Sequence, residues 1–231
     1  MKKVIRTPFG MLSLIFFCAC SGDVEEINHR SAIPFTLKTA MAVGNTANPY
    51  DNIGEHFTSL LSNYKMADYS PLSYPDVTAI VGVLTKDQSI DEELLEEQEL
   101  LSLCVSHPYD TTDSLLDQSG LSQQARIIVS GLIGDFDQLS AQPFDVSYLE
   151  LVTREEGINA SVTLTQREKR VALSLASVIR HSLYHSCCED TDWEKSVGNI
   201  AAALAGGLEN DRLLVAYPLA TSIISLEEID Y

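Results

Sequence analysis

The stretch Thr165-Gln-Arg-Glu168 marks the clearest helix start in the chain. A threonine followed three residues later by a glutamate forms a capping box, in which each side chain accepts a hydrogen bond from the other residue's backbone N–H. Apolar and small residues then recur at helical spacing on one face, at Val171, Ala172, Leu175, Val178, Ile179 and Ser182. The sequence therefore predicts a long helix with one buried face.

A second start signal lies at Asn48-Pro-Tyr-Asp51. Asparagine is a favoured cap, proline suits the first helical position, and aspartate is stabilised near the positive end of the helix dipole. One face of the segment that follows is apolar, with Ile53, Phe57, Leu60, Leu61 and Tyr64. We expect an amphipathic helix from Pro49 onward.

Further helices are predicted from caps and apolar spacing. They cover residues 77–85 after a cap at Asp76, 91–105, a segment after a cap at Ser122, 146–156, 193–208, and 213–226 with a break at Pro218. Their expected buried positions include Leu94, Leu101, Val105, Ile127, Ile128, Leu132 and Leu139. Little of the chain alternates with period two and no Asn-Gly or Asp-Gly hairpin turn occurs. The predicted fold is all-α, a compact bundle of about six to eight helices.

The two apolar runs near the C-terminus could also suggest membrane insertion. Each is only about a dozen residues long, whereas a membrane-spanning helix needs about 18 or more. Glu209, Asn210, Asp211 and Arg212 separate them. We therefore expect buried core helices, whose glycines and alanines let backbones approach closely.

The N-terminus has the layout of a bacterial export signal. Lys2, Lys3 and Arg6 precede an apolar run, which ends at two cysteines. Cleavage before Cys20 places the small Ala19 beside the cut, as a lipoprotein signal peptidase requires, whereas cleavage before Cys18 would place Phe17 there. The sequence predicts a signal peptide at 1–19 and lipidation of Cys20. A short transmembrane anchor is the alternative, but the run has about half the necessary length.

The residues after Cys20 indicate how the mature protein is attached to the membrane. Two or more acyl chains on one cysteine give stable anchoring. Residues 20–47 form the expected tether and 48–231 a single helical domain. Ser21 resembles the residue that follows the cysteine in lipoproteins sent to the outer membrane, and Asp23, Glu25 and Glu26 resemble the acidic tethers of surface-displayed Bacteroidota lipoproteins. We expect an outer-membrane lipoprotein that faces either the cell surface or the periplasm.

The chain is strongly acidic, with a formal net charge of −18 at pH 7. Removing residues 1–19 takes away three cations and no acids, so 12 basic residues face 33 acidic ones and the charge becomes −21. Such a protein is repelled by phosphate backbones and anionic membrane surfaces. The acids are scattered, which favours a solvated surface over an acidic binding patch. Nucleic acid is not expected as a partner.

Two histidines and a cysteine in the stretch 181–190 make a candidate metal site. His181, His185 and Cys188 lie within about 60° of one another if the helix continues that far. Their nitrogen and sulfur atoms are usual zinc ligands, and Glu189, Asp190 or His56 is the candidate fourth ligand. Ser182 stands where the metalloprotease pattern H-E-x-x-H needs glutamate, so the sequence does not predict a metalloprotease. The favoured alternative is a pair of partly exposed histidines near the negative helix end.

Three cysteines remain outside the signal and the lipidation site: Cys104, Cys187 and Cys188. In an oxidising compartment an odd number allows at most one bridge within the chain. Neighbouring residues on a helix point about 100° apart, which disfavours a bond between Cys187 and Cys188. We expect Cys104 to bridge to one of the pair, with three buried free thiols as the alternative.

The segment from Asn48 to His56, together with Trp193 and the Ala/Gly-rich stretch 201–207, resembles a group of small Bacteroidota lipoproteins with no assigned activity. The resemblance implies a lipoprotein and brings no catalytic residues. Two functions are left. One is a binding or interaction module with a protein partner in the envelope, and the other is a zinc-binding protein or metal-dependent enzyme. No catalytic residue is predicted.

Overall fold

A computed structural model describes residues 43–189 and 196–229. Within these ranges the chain is helical and has no strand, so the all-α prediction is confirmed. The α-helices are α1 (Asp51–Met66), α2 (Tyr74–Thr85), α3 (Ser89–Glu96), α4 (Gln98–Ser106), α5 (Pro108–Gln118), α6 (Gln123–Gly134), α7 (Phe136–Ala141), α8 (Phe144–Ala160), α9 (Gln166–Tyr184), α10 (Val197–Glu209) and α11 (Asp211–Glu227). A π-helical turn, His185–Glu189, extends α9. The predicted signal peptide and Cys20 lie outside the described residues.

Helix α9 is the centre of the bundle, because α1, α6, α8 and α10 all pack against it. Its capping box is present as predicted: the Thr165 hydroxyl accepts from the Glu168 N–H at 3.3 Å, and Glu168 accepts from the Thr165 N–H at 2.7 Å. Glu168 also accepts from the Ser122 N–H at 2.7 Å, which joins the starts of α6 and α9. These hydrogen bonds lower the pKa of Glu168 to about 2. From Val171 to Leu183 every residue is buried, so the second half of α9 has no solvent-facing side.

Helices α10 and α11 form the closest packed pair. Asn210 joins them, and its side-chain oxygen accepts from the N–H groups of Arg212 and Leu213, each at 3.0 Å. A Cβ on Gly206 would lie 2.1 Å from the Leu213 carbonyl oxygen, which is a severe clash with backbone. Glycine is therefore required where the two helices turn back on each other. None of the described helices has the length and apolar content needed to cross a membrane.

Proline was misinterpreted at one predicted position. Pro218 does not break the last segment, because α11 runs through it from Asp211 to Glu227. Pro108 begins α5 directly after α4 has ended, because a missing N–H costs nothing at the start of a helix. The predicted helix 91–105 is divided at Glu97 into α3 and α4. The described residues therefore contain more and shorter helices than the six to eight expected.

Helix α1 begins at Asp51, and Asn48 does not cap it. The Asn48 side chain accepts from the Tyr50 N–H at 2.8 Å and turns its amide nitrogen toward the core. Asn45, which the sequence placed in the tether, is also buried. Described residues before Asn48 therefore also pack into the helical domain. Ile127, predicted to be buried, is 65% exposed.

Replacing Gly206 by alanine should destabilise the domain by about 3 kcal/mol, because the new methyl group overpacks the α10–α11 contact. Gly157 is the matched control: it lies inside α8, and a Cβ there meets no atom within 4 Å. Gly157→Ala should raise stability by about 0.5–1 kcal/mol through helix propensity. Chemical-denaturation midpoints of the two variants measure this. Shifts of the same sign in both would contradict the account.

Candidate functional site

Arg180, on α9, is a charged residue with no solvent-exposed surface. Its guanidinium donates to Glu155 Oε1 on α8, at 3.1 Å from Nη2 and 3.3 Å from Nε. Nη2 also donates to Asp51 Oδ1 on α1, and Nη1 donates to the backbone carbonyl of Val43. One side chain thus connects α1, α8, α9 and the segment that precedes α1. We call Arg180 and the groups bonded to it the Arg180 network.

Glu155 is the buried counter-charge of this network, with none of its side chain exposed. Besides Arg180, it accepts hydrogen bonds from the side-chain amides of Asn45 and Asn48, the latter at 3.0 Å. The Asn48 amide also donates to the Leu173 carbonyl at 2.9 Å. A buried carboxylate needs a paired cation and hydrogen bonds to its remaining lone pairs. Both asparagines supply those bonds, which fixes the chain before α1 onto α8 and α9.

Asp51 is the second carboxylate of the network and lies in the first turn of α1. Its Oδ1 accepts from Arg180 and lies 3.3 Å from His181 Nε2, and its Oδ2 accepts from the Asn45 N–H at 2.9 Å. Partial burial alone would raise the pKa of Asp51. The hydrogen bonds from His181, Arg180 and Asn45 outweigh that effect and lower the pKa to about 2.

Helices α1 and α9 touch through backbone at Gly54. A Cβ on Gly54 would lie 2.4 Å from the Ser177 carbonyl oxygen, so only glycine fits. The Ser177 hydroxyl donates to the Asp51 carbonyl at 2.8 Å and accepts from the Gly54 N–H at 3.1 Å. The motif from Asn48 to Gly54 therefore encodes the attachment of α1 to α9. Asn48 donates to the Leu173 carbonyl, Asp51 pairs with Arg180, and Gly54 permits the close backbone contact.

A cleft of about 330 Å³ opens between α1 and the C-terminal end of α9. Its lining carries two carboxylates, two imidazoles and three hydroxyls besides backbone: Val43, Gly44, Asp51, Glu55, Thr58, Ser59, His181, Tyr184 and His185. The volume is at the lower end for small-molecule sites, which suits a ligand of modest size or one side chain of a partner. Two members of the Arg180 network, Val43 and Asp51, belong to the wall of this cleft, which we call the α1–α9 cleft.

The structure brings only two of the predicted metal ligands together. His181 is buried against Asp51, and His185 is half-buried with its ring edge-to-face to Tyr184; both line the α1–α9 cleft. Cys188 and His56 are exposed and do not line it. In residues 43–189 and 196–229, no group of three or more His, Cys, Asp or Glu side chains is placed to hold a metal ion. Asp190 lies outside those ranges.

The disulfide differs from the one expected. Cys187 and Cys188 are bonded to each other, and Cys104 is a buried free thiol. The prediction assumed α-helical geometry at Cys187 and Cys188. Helix α9 ends at Tyr184, however, and both cysteines lie in the π-helical turn. Cys104 lies in the core, where burial raises the pKa of its thiol to about 12. Because a disulfide sulfur is no thiolate, Cys188 in this state is not a zinc ligand.

Sequence reasoning missed Arg180 and Glu155. Charged residues on amphipathic helices usually face water, so neither stood out as a core residue. One signal was present: between Val171 and Leu183, Arg180 is the only Lys, Arg, Asp or Glu residue. A permanently charged side chain inside such an apolar run needs a buried carboxylate from elsewhere in the chain.

Comparison with protein-family models, curated proteins and solved structures finds no match for this chain.

The depressed pKa of Asp51 predicts a contribution to stability that depends on pH. Since the folded-state pKa is about 2 and the ordinary value 3.8, the contribution is fully present above about pH 4 and is lost as pH falls toward 2. It amounts to about 2 kcal/mol. Asp51→Asn should lose this part of the acid dependence. Denaturation at pH 6, 4, 3 and 2.5 measures it, with Asp113→Asn, an exposed acid on α5, as the control. Parallel curves for wild type and Asp51→Asn would contradict the assignment.

Proposed function

We propose that the protein is a lipoprotein of the bacterial envelope, anchored by acyl chains on Cys20, whose helical domain acts as a binding or interaction module. The observation that carries this proposal is the Arg180 network. It fastens the segment from Val43 to Asp51, which leads from the proposed anchor into the domain. A domain held by its N-terminal side needs this connection to be firm.

The Arg180 network holds the residues before α1 against local unfolding. Residues near the end of a domain usually fray, because few contacts hold them. Here Val43, Asn45 and Asn48 each make hydrogen bonds to the buried pair of Arg180 and Glu155. Fraying at this point would remove hydrogen bonds from a buried ion pair, and each buried polar group left without a partner costs about 1–3 kcal/mol. The attachment therefore resists local opening.

The charge of the protein is consistent with a domain that stands away from the membrane. With a net charge of −18 over the whole chain, it is repelled by anionic lipid head groups and by nucleic acid. This supports attachment through the acylated cysteine alone. It leaves the helical surface free to meet a partner in the envelope.

The α1–α9 cleft is the surface that we assign to binding in this proposal. Its wall is preformed at Asp51, because that carboxylate is already bonded to Arg180, His181 and Asn45. A preformed surface loses little conformational freedom when a ligand binds. Asp51 supports a binding role better than proton transfer, since both of its oxygens are engaged in the fold.

Lipidation of Cys20 can be tested by metabolic labelling of the producing bacterium with an alkyne-bearing fatty acid. The wild-type chain and Cys18→Ala should be labelled and should sediment with membranes. Cys20→Ala should carry no label, because the predicted acylation site is removed. Cys18→Ala is the matched control, since it removes the neighbouring thiol only. Label retained in Cys20→Ala and lost in Cys18→Ala would overturn the assignment, and absence of label from the wild type would refute a lipoprotein.

A further inference from the structure

A second cleft, of about 380 Å³, lies among α4, α5, α10 and α11. Three half-buried leucines, Leu100, Leu115 and Leu208, line it. Two carboxylates, Glu97 and Glu209, also belong to its lining, as does Tyr217 of α11. None of these residues belongs to the α1–α9 cleft.

Tyr217 points to a ligand in this second cleft. The residue is only 2% exposed and lines the cleft, and its hydroxyl makes no hydrogen bond with another described residue. A tyrosine hydroxyl on the wall of a cleft is available to a ligand that enters it. Burial, followed by the nearby charges of Glu97, Glu93 and Glu209, raises the pKa of Tyr217, so the phenol stays protonated. A neutral hydroxyl can accept a hydrogen bond from a cationic donor.

The charges around the cleft favour a cation. The side-chain carboxylates of Glu97 and Glu209 make no hydrogen bond or ion pair with another described residue. Arg167 is the one basic residue in the lining, and its guanidinium donates to the carbonyls of Ser119 and Leu208, each at 3.2 Å. Two carboxylates against one guanidinium leave a net negative charge. An anionic ligand would be repelled there, and a singly charged cation would be neutralised.

The apolar walls indicate that the cation is carried on a hydrocarbon chain. The leucines offer contact to methylene groups, which an inorganic ion lacks. A neighbouring cavity of about 600 Å³ shares Glu97, Leu100 and Leu115 with the second cleft and continues past Leu103 to Asp110. A chain that enters the second cleft can therefore extend along α4 and α5.

We propose that the second cleft binds a primary ammonium group on an aliphatic chain, either a free alkylamine or the lysine side chain of another protein. Tyr217 accepts a hydrogen bond from the ammonium, Glu97 and Glu209 neutralise its charge, and the leucines contact the methylene groups. The site is separate from the α1–α9 cleft and does not depend on lipidation of Cys20.

Calorimetric titration of the full chain in detergent tests this binding. The probes are n-pentylammonium, which represents a free amine, and Nα-acetyl-lysine N-methylamide, which represents a lysine side chain. n-Pentanol is the neutral control of equal chain length. At least one ammonium probe should bind at a single site, about tenfold or more tighter than pentanol. The reason is that hydrogen bonds involving a charged group are stronger than those between neutral groups. The tighter ammonium probe identifies the source.

Two variants locate the binding. Tyr217→Phe should fold with an unchanged or higher melting temperature, because the hydroxyl it removes has no partner, and should lose about tenfold in affinity. Glu97→Gln should also weaken binding, whereas Glu99→Gln should not, since Glu99 is an exposed acid of α4 outside the cleft lining. Failure of both ammonium probes to bind would overturn the proposal. Wild-type affinity in both Tyr217→Phe and Glu97→Gln would overturn it as well.

Discussion

Arg180 has no access to water, and this places a demand on the surrounding chain. Removing a guanidinium from water costs several kcal/mol unless carboxylates and carbonyls replace the lost hydration. Glu155 and Asp51 supply the charge, and the Val43 carbonyl accepts another N–H group. For all of these to meet at one guanidinium, α1 and α8 must dock on α9 in one register. The backbone contact at Gly54 follows from that register.

The contact between α10 and α11 differs from the charged contact at Arg180. It depends on the absence of a side chain, since Gly206 meets the backbone of Leu213 directly. From Gly198 to Gly207 all of α10 is buried, and from Leu213 to Ile224 all of α11. The α1–α9 cleft adjoins the polar contact, whereas the second cleft lies beside α10 and α11. Each concave surface is thus shaped by elements whose packing is tightly defined.

Features with local causes could be predicted from the sequence. Ser122 and Thr165 cap α6 and α9 as expected, because a cap needs only residues one turn away. Asn48 failed as a predicted cap for the opposite reason: its amide is engaged by Glu155, 107 residues further along the chain. Pro218 stays inside α11 because burial of both flanking turns outweighs the lost hydrogen bond.

The candidate site was only partly predictable. His181 and His185 were placed on one face correctly, since helical spacing fixes that, and both line the α1–α9 cleft. The partners of His181 come from α1, which spacing within α9 does not reveal. The end of α9 at Tyr184 changed the geometry on which the cysteine prediction relied. Lipidation of Cys20 stays a prediction, because that residue lies outside the described ranges.

The central claim is that Arg180 fastens the start of the domain to the bundle. Native-state hydrogen exchange of the full chain in detergent tests it most directly, by comparing wild type with Arg180→Lys, which keeps the charge but loses the forked donor geometry. The account predicts that amides from Asn45 to Thr58 exchange at least about tenfold faster in the variant, since about 1.4 kcal/mol of lost local stability gives that factor. Amides of α10 and α11 should keep their protection. Unchanged exchange from Asn45 to Thr58, or an equal loss in every helix, would contradict the claim.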